Sequence, residues 1–466
     1  MCSGSSGWAS ELTPSSHSSS IATALYKLRN APVPPMVAER VGWTLLDAFA
    51  VMHGGAKVAG TANFIGIMAD RRGTPSASVP ALSLHLAAES AAALNAFLLH
   101  ASEIDDSDLR GQLRASAVVL PAIMATAEIA DSSGADFIRA LALGYTLQGR
   151  FVAPLRFPIQ SRGWMASGVW GPPAAAGAAG LLMKLTPSQI ASAIGLAGSG
   201  AGGLFQYFFD QTEEKRLIVA RAARTSVESV RLASAGETGP IRIIEGQAGL
   251  YKLFSGEAAP NISVLTDDLG AMEGPLFIYP KLFAASHSII PSLDGMAMDL
   301  PASFNWEDVD NYIVRGDQGW ADTVGTKISN YAAPSSALGA MLNYGFVIAM
   351  YLIHGSVLPD DYAAALHDPR IDAFARRGVF EVQPGPADLS IEFRMKSGAS
   401  FRVRARTPGL QDPAPLDVER RMRKVTQLTK DLSRENREAL NELCHSVSTA
   451  KSMRDWVRKV AAVLHS

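Results

Sequence analysis

The sequence predicts a mainly α protein, a large all-helical domain followed by a smaller α/β domain. Three observations predict it. The first half is a succession of Ala/Leu-rich segments with apolar residues at helical spacing. After about Tyr251 the texture changes to Pro, Asp and aromatic residues with short alternating runs. From Leu416 to Ser466 it returns to charged, amphipathic helix. These shifts divide the chain into a disordered tail at 1–20, a helical domain at 21–268, an α/β domain at 269–410, and C-terminal helices at 411–466 that pack back on the helical domain.

The elements follow in order. The Ser/Gly-rich tail has neither the basic start nor the apolar core of a signal peptide. Val41–Met52 places Leu45, Leu46, Phe49 and Ala50 on one helical stripe, and Leu84–Leu99, Pro121–Ile129 and Ala135–Tyr145 continue the helical pattern. Thr186-Pro187-Ser188-Gln189 is a helix start, with Thr186 as N-cap, Pro187 at the first position and Gln189 closing a capping box. That helix runs through Ile190, Ile194 and Leu196 until Gly198 and Gly200. Ala220–Ala233 is a further helix with Arg221, Arg224 and Arg231 on its polar side. In the second domain, Tyr312-Ile313-Val314 reads as a strand. Leu389–Arg394 and Phe401–Arg404 alternate apolar with polar around a turn at Lys396-Ser397-Gly398, which predicts a hairpin. Ser335–His354 reads as a helix on that sheet, and Pro408–Pro415 as a linker.

Composition excludes several function classes. With 42 Lys and Arg against 44 Asp and Glu, the chain is not a strongly basic nucleic-acid binder. Apolar stretches such as Ala174–Met183 are too short to span a bilayer before Lys184. Cys2 and Cys444 have no spacing that fits a zinc site or disulfide framework. The expectation is a soluble cytoplasmic protein with no nucleic-acid or membrane partner. The chain contains no Walker loop, HExxH or GxSxG, and the glycines from Gly198 to Gly203 follow a helix rather than a strand, which favours a loop over a phosphate cradle.

Four segments concentrate polar groups in apolar surroundings. His100–Ser107 carries Glu103, Asp105 and Asp106 just after an apolar helix, either as substrate or catalytic ligands or as a solvated helix end. Arg162–Gly171, with Trp164, Met165 and Trp170 among glycines, suggests a wall built by close backbone approach, or packing alone. Glu213-Glu214-Lys215-Arg216 puts two cations at a helix start, against the macrodipole; an anionic ligand or the two glutamates would satisfy them. Tyr279–His287 sets Lys281 in an apolar run, snorkelling or aimed at a ligand.

Taken in order, the segments resemble the MmgE/PrpD superfamily, which includes 2-methylcitrate dehydratase and cis-aconitate decarboxylase. The likeness covers nearly the whole chain: Val37-Ala38-Glu39-Arg40 leading to Leu46-Asp47, Glu103-Ile104-Asp105-Asp106 with Val119-Leu120-Pro121-Ala122, Gly163-Trp164 with Gly168 and Gly171, Lys215-Arg216 with Ala222-Ala223, Glu245-Gly246 with Gly249, Lys281-Leu282-Phe283, and the closing Gly398, Pro408 and Pro413–Leu416. The resemblance implies a helical domain topped by an α/β lid, commonly a homodimer, with the site between them. It also implies cofactor-independent, metal-free chemistry on small polycarboxylates, in which lysines hold carboxylates and histidines move protons.

Departures from the pattern shape the functional expectation. Positions where the family places histidines are Arg114, Met165, Val219 and Ile290 here. Of the nine histidines (His17, His53, His85, His100, His287, His354, His367, His445 and His465), only His100 and His287 fall near the expected site. Arginine keeps its proton at physiological pH, and methionine has none to move. The expected catalytic set is therefore Lys215, Lys281, Tyr344 and His287. The expected substrate-binding set is Glu103, Asp106, Ser107, Arg114, Trp164, Met165, Tyr207 and His100. The first reading is a lyase- or isomerase-type enzyme of specialised metabolism with altered chemistry, a cyclase-like or elimination step on a bulkier, less charged small molecule. Phe205, Tyr207, Phe208 and Phe209 suit such a substrate, or form a buried aromatic cluster. The alternatives are a conventional polycarboxylate dehydratase or decarboxylase that uses His100 or His287, and a non-catalytic binding or regulatory descendant.

Overall fold

The computed structural model describes residues 16–58, 60–70, 73–108, 110, 111, 113–155, 159–210, 212–406 and 417–466. The helical body contains α1 (His17–Lys27), α2 (Pro35–Gly55), α3 (Ala88–Leu99), α4 (Ala115–Ala130), α5 (Gly134–Val152), α6 (Ala166–Leu182), α7 (Pro187–Ser199) and α8 (Lys215–Ser234). Helix α6 is built almost wholly of Ala, Gly and Pro around Val169 and Trp170, and is buried on nearly every side. It packs against α4, α5, α7 and α8. Its small residues permit that approach: a Cβ on Gly171 would stand 2.8 Å from Val118, inside van der Waals contact. The capping box forms as expected, with Thr186 and Gln189 capping reciprocally and Pro187 at the first position of α7.

The second part contains α9 (Ile290–Asp299), α10 (Tyr344–His354), α11 (Pro369–Ala375) and a four-stranded sheet. Its strands are β5 (Val309–Gly316), β6 (Gly378–Val382), β7 (Ser390–Met395) and β8 (Ser400–Arg404), in the order β6-β5-β7-β8. Only the β5–β6 pair is parallel; β7 and β8 form the hairpin, closed at Gly398 with φ +87°. Tyr312 on β5 stacks on Phe374 of α11 at 5.5 Å. The architecture is thus mainly α with a smaller α/β part. Among the described residues no helix is long and apolar enough to cross a membrane.

Some boundaries differ from the sequence reading. Residues 1–15 of the expected tail lie outside the described residues, but its end is helical. Ser16 caps α1, and His17 Nε2 meets the Pro260 carbonyl at 2.9 Å. Leu84–Leu86 is not helix but β2, paired with β1 (Ala77–Val79), and α3 begins only at Ala88. Ser335–His354 is broken, because the Asn343 side chain accepts from the Phe346 N–H and starts a new helix there. The expected linker, with Pro408 and Pro413–Leu416, lies outside the described residues.

The C-terminal helices α12 (Val418–Leu428), α13 (Arg434–His445) and α14 (Met453–His465) pack on the helical body. Trp456 of α14 wedges between Phe49 and Phe137 at 5.8 and 6.0 Å. The buried ammonium of Lys424 on α12 lies 2.7 Å from Asp47 on α2.

Candidate functional site

A short backbone pairing assembles the site. Strand β3 (Ser107–Asp108) runs antiparallel to β4 (Ile278–Tyr279), so the loop after α3 meets the segment carrying Lys281. His100 caps the C-terminus of α3, Lys215 opens α8, and Arg114 precedes α4. Three helix ends and one strand pair therefore converge on loop 101–106, whose Glu103 adopts a left-handed φ of +55°. A non-glycine residue in that region costs on the order of 1–3 kcal/mol and persists where its surroundings enforce it. Here the Lys281 ammonium donates to the Glu103 carbonyl, and also to that of Ala285 at 3.2 Å.

The side chains form a buried charge cluster. The Lys215 ammonium is in direct contact with Glu103 Oε1, while Lys281 Nζ lies 3.5 Å from Glu103 Oε2 and 3.7 Å from Asp105 Oδ1. His100 Nδ1 meets Asp105 Oδ2 at 2.8 Å, and its Nε2 has no hydrogen-bond partner among the described residues, with Glu103 Oε1 3.9 Å away. Arg114 donates to Ser107 Oγ at 2.6 Å, and its backbone N–H to Ser167 Oγ at 2.8 Å. Burial pushes the His100 imidazole down to about 3, against the pull of Asp105, so the ring is neutral at physiological pH. Burial would raise Asp105, but His100 and Lys281 bring it well below the usual carboxylate range. Burial and the neighbouring cations lower both ammoniums; the carboxylates of Glu103 and Asp105 work against that loss of the proton.

With Nδ1–H donated to Asp105, the free lone pair of His100 sits on Nε2. That is an oriented neutral base, the geometry general-base catalysis requires. His100, Glu103 and Asp105 also offer ligand atoms within 4.8 Å of one another. The two ammoniums already engage those carboxylates, so a cation there would have to displace Lys215.

The structure brings together His100, Glu103, Ser107, Arg114, Lys215 and Lys281. His287 stands near Arg114 and Lys281, whose charges, after burial, help hold its imidazole down to about 3, and its Nδ1 has no partner among the described residues. Tyr207 is buried within the field of Arg114. Other expected residues have recorded partners outside this cluster. The Tyr344 hydroxyl bonds Ser292 Oγ at 2.6 Å inside the α/β part. Trp164 packs edge-on against Phe254 at 4.7 Å, and Met165 caps α6 with its N–H on the Gly203 carbonyl. Arg216 is taken by Glu213 at 2.6 Å. Sequence reasoning placed Asp105 in the acidic segment without assigning it a role. It missed Lys424, which donates to the Ile104 carbonyl at 2.7 Å; nothing in its amphipathic helix distinguishes it.

Asp106 is engaged by the start of α4. Its carboxylate accepts from the Ser116 N–H at 2.9 Å and from the Ser116 hydroxyl, fixing the first turn of α4. Burial raises it to about 7 despite those bonds. A raised carboxyl favours the folded state fully below the ordinary 3.8, and that contribution is lost as pH rises through about 7. Asp106→Asn is expected to flatten part of the stability decline across that window, on the order of 4 kcal/mol. Urea midpoints at its two ends check this; an unchanged slope would count against the assignment. Glu128, also raised to about 7, leaves a residual slope.

Comparisons with known proteins agree on one group. The MmgE/PrpD N-terminal domain model matches residues 19–263. The cis-aconitate decarboxylase-like protein oryM of Aspergillus oryzae is 27% identical over 361 residues, 72% of this chain and 73% of that protein. A cis-aconitate decarboxylase of Aspergillus terreus is 24% identical over 434 residues, 87% of each chain.

Proposed function

Because this chain belongs to the MmgE/PrpD family, we propose that it is a lyase-type enzyme that needs no organic cofactor and acts on a substrate bulkier and less charged than a citrate-like acid. One observation carries the reading. The cluster sets three cations, Lys215, Lys281 and Arg114, against two carboxylates, Glu103 and Asp105, with His100 neutral. At most one positive charge is left over, since burial lowers both ammoniums, which suits one substrate carboxylate but not three. Tyr207, within the field of Arg114, packs edge-on against Phe205 at 5.3 Å, and Phe208 lies 5.1 Å from Phe205, so an aromatic group adjoins the cluster. Phe209 is 65% exposed and does not belong to it.

In this reading Arg114 and Lys281 hold the carboxylate and stabilise the negative charge that develops beside it. His100 Nε2 takes the proton from the adjacent carbon, and the electron pair forms the new double bond. The leaving hydroxyl departs with the proton returned by His100, as water. In a cyclase-like variant the same electron pair attacks a carbonyl carbon of the same molecule to close a ring, the carbonyl π pair moves onto its oxygen, and His100 returns the proton to that oxygen. A homodimer, cytoplasmic location and a place in specialised metabolism belong to the same proposal.

Purified protein incubated with cis-aconitate or 2-methylcitrate is expected to yield no itaconate or methylaconitate, while a long-chain β-hydroxy monocarboxylate loses water. Itaconate formed at enzymatic rates would replace this reading with the conventional decarboxylase named in the relatives.

A further inference from the structure

Behind loop 101–106 lies a second buried group of charges, where α12 meets α2 and β4. Helix α12 delivers Arg421 and Lys424 from adjacent turns of one face. Lys424 is satisfied by Asp47 and by the Ile104 carbonyl. Arg421 is not. The residue is 3% exposed, and both its Nε and its Nη2 are buried without a hydrogen-bond partner among the described residues. These two nitrogens form one edge of the planar guanidinium. Their N–H bonds point the same way, as a fork for two coplanar oxygens.

Neighbouring groups do not fill that fork. Arg40 of α2 adds a second guanidinium, held only loosely by the Leu276 carbonyl at 3.4 Å, and it repels Arg421. Asp47 is committed to Lys424, and Asp106 to Ser116. Asp294 takes the Tyr279 hydroxyl at 2.5 Å and Arg420 at 2.9 Å. Asp417 caps α12 by accepting from the Arg420 N–H at 3.0 Å. An unpaired buried charge is among the costliest features a fold can carry, and arginine resists relieving it by losing a proton. Arg40 is itself buried, with 7% of its surface exposed.

We propose that this junction binds a small oxyanion, inorganic phosphate or a carboxylate, with two of its oxygens on Nε and Nη2 of Arg421 and with Arg40 alongside. The anion completes the charge balance where the C-terminal helices dock on α2. Lys424, on the same face, carries the effect to the loop that holds Glu103 and Asp105. The site stands apart from the proposed lyase reaction and does not depend on it.

The test is thermal unfolding of the full chain at constant ionic strength in chloride, titrated separately with phosphate and with acetate. A saturable rise in Tm is expected, a few degrees at about a hundredfold excess over Kd. A response to phosphate alone assigns phosphate, and a response to acetate assigns a carboxylate. Arg421→Met should abolish the response yet be no less stable than the parent in chloride alone, because it removes an unpaired charge. Arg421→Lys keeps the charge without the fork and should bind about tenfold more weakly. Lys215→Met should leave the response intact, which separates this site from the catalytic reading. The proposal is overturned if the parent shows no saturable response to either anion, or if Arg421→Lys binds as tightly as the parent. It is also overturned if Arg421→Met destabilises the protein in chloride, since the arginine would then already have a partner within the chain.

Discussion

Glu103→Gln destabilises the protein by about 3–5 kcal/mol, the range for breaking a buried ion pair from one side. Glutamine keeps the length and shape of the side chain and pays the same left-handed backbone cost, so the substitution isolates the charge. Glu103 is 1% exposed and faces Lys215 with one oxygen and Lys281 with the other. Without it, two buried ammoniums share Asp105 alone, which reaches only Lys281. Water cannot compensate at that depth. The deficit has a definite pH signature. An orphaned ammonium with a depressed pKa costs most at low pH, and the cost shrinks as pH rises toward the ordinary lysine value of 10.5. Adding Lys215→Met to Glu103→Gln removes the orphan and restores most of the stability, so the double-mutant cycle shows strong coupling. Urea unfolding of the single and double variants measures this. A loss under about 1 kcal/mol, the same at every pH, would mean that the cluster is hydrated and the pair contributes little.

How far the sequence discloses this arrangement depends on how local each signal is. The α7 cap needs only Thr186, Pro187 and Gln189, and the β7–β8 hairpin only an alternation and Gly398; both are contained in a few neighbouring residues. Helix ends that depend on distant partners were misplaced. α3 starts late because Leu84–Leu86 finds a strand partner, and Ser78 on that partner is anchored by Glu128 from α4. The site shows the same division. His100 and Glu103 lie in one loop and could be read as a polar island in an apolar context. That Glu103 would turn left-handed, face Lys215 and receive Lys281 follows from the β3–β4 pairing, only two residues per strand. No periodicity announces so short a ladder. Asp106 and Tyr344 have the right chemistry for a site, but their nearest hydrogen-bonding partners, Ser116 and Ser292, claim them for the fold. Residue type selects the candidates, and only tertiary contacts show which of them neighbouring hydroxyls already engage.

His100→Asn lowers turnover of the proposed substrate by about 10²–10⁴, the usual worth of a positioned general base. Asparagine can still donate to Asp105, so the loop keeps its anchor while the lone pair at Nε2 disappears. The loss should fall on kcat with KM little changed, because Arg114 and Lys281 remain to hold the carboxylate. Asp105→Asn tests the other half of the dyad: an amide facing Nδ1 can donate to it, which puts the ring proton on Nε2 and leaves no base there. Both variants should therefore be slow, and combining them should add little, since they disable one device. The pH profile discriminates further. Burial keeps the imidazole neutral down to about 3, so kcat/KM should show no acid limb near the ordinary histidine value of 6.5. The same shift makes acid unfolding steeper: the contribution of neutral His100 is complete above 6.5 and is lost as pH falls toward about 3. If His100→Asn retained activity within about threefold of the parent, well short of a general base's contribution, the base would have to be sought at His287. Its Nδ1 is buried without a partner among the described residues, in the field of the same Arg114 and Lys281.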